Sequence, residues 1–566
     1  MRIQIRSIVF FTLAAAWATQ AMAQDDPHAN CTAVGWVPQS ILERPVPLRS
    51  ATGNSADVVT TSSADARAYY LQGLNYLHGY SWIEGARSFH QAIRLDPAMA
   101  MAHWGLSRIY SGLDDQLGAV KEANSARELG AKASPREQRR IALRLQQLDA
   151  IADLGNATLH GAYKQAIDKA IAADIDDPEL WLIRGNAEEP TAAGRGQRGG
   201  VASTAFYQEV LRIAPDNGAA HHYLTHSYEN LNQIPRALEH GEVYARLAAA
   251  IPHAIHMYGH DLRRVGRLDE AIAAFTRTDD LEDAYYAAEK IGPELDWHHV
   301  HNLDLLATSH EHKGQMHKAE ALLREAVAVK PLTEYQEFNQ KSLTLFLMGR
   351  QRWREALAGA RALSKAKGPG TRVVGYAYAG HAHLALRDPD AANRALASAE
   401  ATMNDVPTLV GGISVGRATV VPYVDALRAE IMLREGKSEE GRALMKDVQA
   451  RLRALPGPDA WTQALFRLEA FARVARDVGD WELAEYTAQQ MLDHDGAYGG
   501  SHFALALVAR EEGDIDLAQR EAAAARNYWK DADRDMAELA QLRGRQFATF
   551  LSRKSRISAA ISVPDR

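Results

Sequence analysis

Small and apolar residues in this chain recur at helical spacing, and the spacing itself repeats every 34 residues. Tyr69, Gly73, Tyr76, Gly85, Phe89, Ala92 and Pro97 occupy positions 4, 8, 11, 20, 24, 27 and 32 of one such unit, and Ala119 takes position 20 one period later. The pattern predicts two helices per unit, A then B. Small residues at positions 8 and 20 let the helices approach, aromatics at 4, 11 and 24 fill the space between them, and proline at 32 ends helix B. Framed on position 20, units carry Gly85, Ala119, Ala237, Ala271, Ala319, Ala356, Ala392, Gly441, Ala484 and Ala518. The steps 85 to 119, 237 to 271 and 484 to 518 span one period, whereas those from Ala271 to Ala484 run from 36 to 49 residues, so several units carry longer helices or loops. Trp181 and Gly185 fit positions 4 and 8 of a further unit ending at Pro215, provided that Gly194 to Gly200 is an insertion of about six residues, read as a flexible loop. Turn signals separate helical stretches and no alternating runs appear, so no sheet is predicted.

The unit resembles the tetratricopeptide repeat over about residues 65 to 530, although the Trp of position 4 is mostly absent. The resemblance implies an all-α fold, a superhelical array of antiparallel helix pairs (a TPR-like α-solenoid), in which each unit buries its face against its neighbours. It divides the chain into a repeat pair at 65–132, a helical bridge at 133–177, a central histidine-rich block at 178–333, TPR-like units at 334–552 and a tail at 553–566.

The ends add a destination. Residues 1–23 read as an export signal: Arg2 and Arg6, an apolar run from Ile8 to Ala18, and Ala21-Met22-Ala23 as the cleavage site. An exported protein, periplasmic or secreted, is expected, followed by an extended arm at 24–64. Removing the signal takes the formal charge from −7 to −9. A mildly acidic chain without a basic patch argues against nucleic acid. Cys31 is the single cysteine, so no internal disulfide forms. No later run is long and apolar enough for a membrane span.

Chemistry enters through histidine. Thirteen of the 22 histidines lie between His221 and His317, where uniform scattering would put about four. In a superhelical array, helix A lines the concave groove with positions 2, 5, 9 and 12. His222, His226 and Glu229 take positions 5, 9 and 12 of one unit; His253, His256 and His260 take 2, 5 and 9 of the next; His301 and Asp304 take 2 and 5 of the unit after. Imidazoles at i and i+4 share a helix face, and adjacent helix axes about 8–10 Å apart bring such pairs together. His222, His226, His256 and His260 are therefore metal candidates, with His253, His301 and Glu229 extending the set. Imidazole-rich sites suit zinc, copper, iron or nickel rather than calcium or magnesium. If such a metal keeps an open position it can activate water or dioxygen, with Glu229 or Asp304 as ligand or general base. His221, at position 4, is read as core, and His78, His90, His103, His160, His240, His317, His494 and His502 as individually satisfied or surface residues.

A narrower resemblance rests on the stretch Gln72 to Gly79, on Leu95 to Ala100, and on His256-Met-Tyr-Gly-His260 followed by Gly266 to Asp269. These are similar to a group of exported bacterial repeat proteins sharing H-x-x-x-H-x-x-E, then H-M-x-x-H, then H-N. His222, His226 and Glu229 match the first motif, His256 and His260 the second, His301 and Asn302 the third. The resemblance implies a site and no particular activity. The competing reading is an interaction scaffold without metal, its groove gripping an extended peptide of an envelope protein. Tyr70, Trp104 and Arg108, at groove positions of the first two units, are peptide-binding candidates that would serve equally to pack the arm. Ring nitrogens converging within about 4–5 Å favour metal, and rings splayed along the groove favour peptide. No cysteine nucleophile, His-Glu-x-x-His or phosphate loop is present.

Overall fold

A computed structural model describes residues 36–410 and 415–543. The export signal at 1–23, Cys31 and the tail at 553–566 lie outside the described residues. Within them, every regular element is a helix and there is no strand. Consecutive helices pack as antiparallel hairpins, among them Ala64–His78 with Trp82–Leu95, Gly218–Asn230 with Ile234–Leu247, Pro252–Arg264 with Leu268–Glu289, and Pro458–Asp477 with Trp481–His494. The chain is an all-α array of tetratricopeptide-type helix pairs.

The repeat is visible in the backbone. Most A-to-B turns hold one residue in the left-handed region, and three pairs of these are one period apart: Tyr80 and Asp114 (φ 56° and 59°), Asn232 and Gly266 (57° and 80°), Gly479 and Gly513 (75° and 85°). Packing follows the small-and-large rule read from the sequence. A Cβ added at Gly73 would lie 2.8 Å from the Phe89 ring, and one at Gly105, in the next A helix, 2.4 Å from the same ring. Gly259 stands in the same relation to Phe275, at 2.8 Å. Gly185 meets Tyr207 at 2.2 Å, and that pair is separated by the extra residues the insertion supplies.

Two segments behave differently from their sequence reading. The bridge at 133–177 is itself a hairpin, Pro135–Ala152 against Ala157–Ala173, with a capping box between Ser134 and Glu137. The array is therefore continuous. The arm is extended but docked, and it ties distant units together. Arg49 pairs with Glu84 and Glu289, Asn54 bonds to Asp216 and Gly218, Asp57 receives Tyr70 and Arg140, and Thr60 donates to Glu137.

The superhelix curls until its last units touch its middle. Trp529 Nε1 donates to the His312 carbonyl at 3.3 Å, Asp533 N to the Gly314 carbonyl at 3.1 Å, and Arg350 pairs with Glu538 at 2.7 Å. The Pro458–Asp477 helix thereby faces the central block from the carboxy-terminal side. Because Phe89 is fully buried and wedged between two A-helix glycines, Phe89→Ala should cost about 3–5 kcal/mol. Chemical denaturation should report this loss as a lower midpoint for the amino-terminal units.

Candidate metal centre

The three histidine-bearing A helices, Gly218–Asn230, Pro252–Arg264 and His299–His312, lie in sequence along the inner wall. Their inward side chains are sealed: His222 and His256 have no exposed surface, and His226, His253, His260 and His301 are all buried. The rings do not gather as one set of four. They divide into two trios, His222–His226–His253 and His256–His260–His301, each with its ligand atoms within 4.8 Å of one another. The i, i+4 pairs are kept, and each is completed by position 2 of the following unit. His253 and His301 are thus full members of the trios.

Hydrogen bonding fixes the tautomers of the central rings. His222 Nδ1 donates to the His78 carbonyl at 2.6 Å, so its Nε2 carries the lone pair. That lone pair faces His226 Nε2 and His253 Nε2, both at 3.1 Å. His256 repeats the arrangement: Nδ1 donates to Asn302 Oδ1 at 2.8 Å, while Asn302 Nδ2 donates to the Phe275 carbonyl at 3.0 Å and so holds the amide in that orientation. His256 Nε2 then faces His301 Nε2 at 3.0 Å.

Burial keeps these rings neutral. It is the leading cause that pushes His222, His253, His256 and His260 well below the usual imidazole range, with neighbouring rings adding to it. His226 is pushed down to about 3, and His301 is lowered by the same cause. Neutral imidazole is the form that ligates metal.

Two buried carboxyls stand beside the rings, with Arg264 as a cationic neighbour. Glu229 approaches the Nδ1 edge of one ring from each trio, His260 at 3.5 Å and His226 at 3.8 Å. Both His260 nitrogens are buried without a hydrogen-bond partner among the described residues, while the buried Glu229 and Asp261 carboxyls bond to each other and feel the charge of Arg264. Burial raises the Glu229 and Asp261 carboxyls well above their usual range, and the charge of Asp261 raises Glu229 further. Neutral nitrogen donors beside a buried carboxyl pair that can release its proton fit a divalent cation. Asp304 lies elsewhere: burial lifts its carboxyl to about 6, and its neighbours are Gln463 at 3.5 Å and the buried Lys341.

Sequence reasoning missed His298 as a member of the cluster. It caps the His299–His312 helix, donates through Nδ1 to Glu282 at 2.5 Å, and leaves a buried Nε2 without a partner. Its ring lies 4.4 Å from His256 and 5.1 Å from His253, between the two trios. The doubled His298-His299 was the available signal, but it falls just ahead of the helix and has no groove position. Other histidines match their individual readings. His221 meets His240 at 2.9 Å and the Pro215 carbonyl, away from the trios, and His78 bonds Tyr223 and Glu179.

The trios open onto a cavity of about 660 Å³ whose far wall is carboxy-terminal, including Asp459, Gln463 and Arg467. Asp459 lies 3.6 Å from His301 Nδ1. The 187–200 segment, read from its glycines as a flexible loop, forms part of the wall and is seated there by hydrogen bonds. Glu189, buried, accepts backbone N–H groups of residues 195, 196 and 198, and Asn230 Nδ2 donates to the Gln197 and Gly199 carbonyls at 2.9 and 3.0 Å. Gly196, at φ +99°, passes where a Cβ would lie 2.4 Å from Tyr223. Tyr70 is fully buried against the arm through Asp57, at 2.8 Å, and presents nothing to a peptide. Trp104 and Arg108 stack on each other at 4.7 Å and line a separate cavity.

No family model matches this chain, and no curated protein matches it. Among solved structures it is similar to yeast Tom70, with TM-score 0.33 and 12% identity over 88% of this chain and 97% of that one. It is also similar to the human IFIT1 dimer with m7Gppp-AAAA, at TM-score 0.33 and 12% identity over 82% and 90% of the two chains. YrrB, a TPR protein with an unusual peptide-binding site, has TM-score 0.23 and 16% identity over 43% of this chain and 94% of its own.

Glu189→Ala should release the seated segment. Trypsin cleavage after Arg195 should then accelerate severalfold, as expected when a local opening loses its stabilising bonds, with the A helices still protected.

Proposed function

We propose that the central cavity binds transition metal, one ion at each histidine trio, and that the repeat array exists in this region to hold the two ions side by side. The observation that carries this reading is the locking of His222 and His256. Each spends its only N–H on a fixed oxygen acceptor and aims a lone pair at ring nitrogens, two at 3.1 Å for His222 and one at 3.0 Å for His256. One in-plane lone pair cannot serve two ring donors well, whereas a cation satisfies all three nitrogens of a trio at once.

Three imidazoles with carboxylates behind them suit zinc, copper, iron or nickel. Glu229, on the Nδ1 edges of His226 and His260, would orient ligands and offset charge rather than ligate, and Glu282 would do the same for His298. Three protein ligands leave a fourth position, the pattern of catalytic sites, and the adjoining cavity has room for a substrate above it. Metal held there would supply Lewis acidity or activated oxygen chemistry. Convergence of the rings runs against the peptide-scaffold reading, which needs them spread along the groove. An exported location would let the site load outside the cytoplasm.

Untagged protein purified from its native compartment should carry about two equivalents of transition metal by elemental mass spectrometry. His222→Ala should lose one equivalent and His256→Ala the other, each keeping its helical circular dichroism. Substoichiometric metal that ignores both substitutions would sink the reading. Removing the acceptor that orients His256, by Asn302→Leu, should weaken metal affinity by roughly 10–100-fold in chelator competition.

A further inference from the structure

A second cavity, of about 460 Å³, lies between the amino-terminal units and the bridge hairpin, on the other side of the 187–200 segment from the metal cavity. Ala193, Gly194 and Arg195 line both. Its walls combine flat apolar surface, from Trp82, Trp104 and Tyr163, with guanidinium groups from Arg108, Arg140, Arg144 and Arg195. Two of the four arginines are neutralised by carboxylates within the protein. Arg108 pairs with Glu179, and Arg140 with Asp57 and Asp177.

Arg144 is different. It is 4% exposed and forms no ion pair with a carboxylate among the described residues. Its bonds go to neutral acceptors: Ser107 Oγ and carbonyl at 2.8 Å, Ser111 Oγ at 2.5 Å and Gln147 Oε1 at 2.6 Å. These account for four of the five guanidinium hydrogens, leaving one on Nη1, and Arg144 lines the cavity. Burial, with Arg108 adding, pulls its guanidinium down to about 9. Arg195 stacks over Trp82 at 5.6 Å and donates to the Ser111 carbonyl at 2.9 Å. Asp114 interacts with Arg195 by charge alone, and burial raises the Asp114 carboxyl. A buried cation without a counter-ion is costly unless something supplies negative charge.

We propose that this cavity is a binding site for a small organic anion, its carboxylate or equivalent charged group held by Arg144 and Arg195 and its flat body lying against Trp82, Trp104 and Tyr163. Arg195 sits at the wall shared with the metal cavity, so an occupant would help seat the segment that separates the two. The inference does not depend on metal at the histidine trios.

The test uses the full chain and a charge-matched pair of probes, indole-3-acetate and its neutral amide, indole-3-acetamide, with acetate as the bodiless anion. Indole-3-acetate should raise the melting temperature saturably, while the amide and acetate give little at the same concentrations. Arg144→Gln should abolish the shift, and Arg144→Lys should restore part of it. His256→Ala should retain it, which separates this site from any anion bound to metal. Arg195→Gln provides a second variant if Arg144→Gln melts early without probe. Equal shifts from the acid and the amide, a shift that survives both arginine substitutions, or one lost in His256→Ala but not in the arginine variants would overturn the proposal, as would no shift with indole-3-acetate.

Discussion

The central block depends on one constraint: neutral ring nitrogens face one another where the fold buries them. His222 and His256 are aimed by acceptors on other elements, the His78 carbonyl of the first unit and Asn302 of the third histidine-bearing helix. Around them Glu229 and Asp261 are buried as a carboxyl pair bonded to each other. An isolated helix would relax such an arrangement by rotating side chains into solvent. Here the rings are held because their helices are packed on both sides, and because the chain beyond them closes over the groove.

That rigidity comes from apolar packing remote from the histidines. Phe89 against Gly73 and Gly105, and Phe275 against Gly259, set the approach of successive helices to within contact distance. Such close-packed pairs leave little freedom for an A helix to turn about its axis. The docked arm and the contacts of Trp529 and Asp533 with the 312–314 turn then restrain the superhelix at a larger scale. Each burial of apolar surface offsets part of the cost of desolvating imidazole and carboxylate.

Much of this was legible in the sequence, for a definite reason. Periodicity fixes which residues of helix A face inward, so the groove histidines could be named before any contact was known. Pairing across helices was harder to read. Whether His256 groups with His222 or with His301 depends on the stagger between neighbouring A helices, which a repeat position does not encode. His298 lies off the helical frame, and its partner Glu282 lies on a B helix, so no periodic argument joins them. The glycine-rich insertion misled in the opposite direction. Gly196 and Gly199 serve close approach to Tyr223 and Ser227, and glycine composition alone does not distinguish that from freedom.

Each trio is also asymmetric in depth, and the asymmetry bears on what the site can do. His222 and His256, the locked rings, stand behind the cavity surface, whereas His226, His253, His260 and His301 line it. An ion anchored by the deep ring and flanked by two shallow ones would have its remaining position turned toward the cavity, since the protein side is already filled by Tyr244, stacked on His222 at 4.6 Å, and by Phe275, 5.2 Å from His256. A purely structural site closes its coordination with protein on all sides. Here the fourth side adjoins a space of about 660 Å³ whose opposite wall is brought in from more than 150 residues further along the chain, by Asp459 and Gln463. Closure of the superhelix therefore does more than exclude bulk water: it puts polar side chains of the last units across from the open face of both trios.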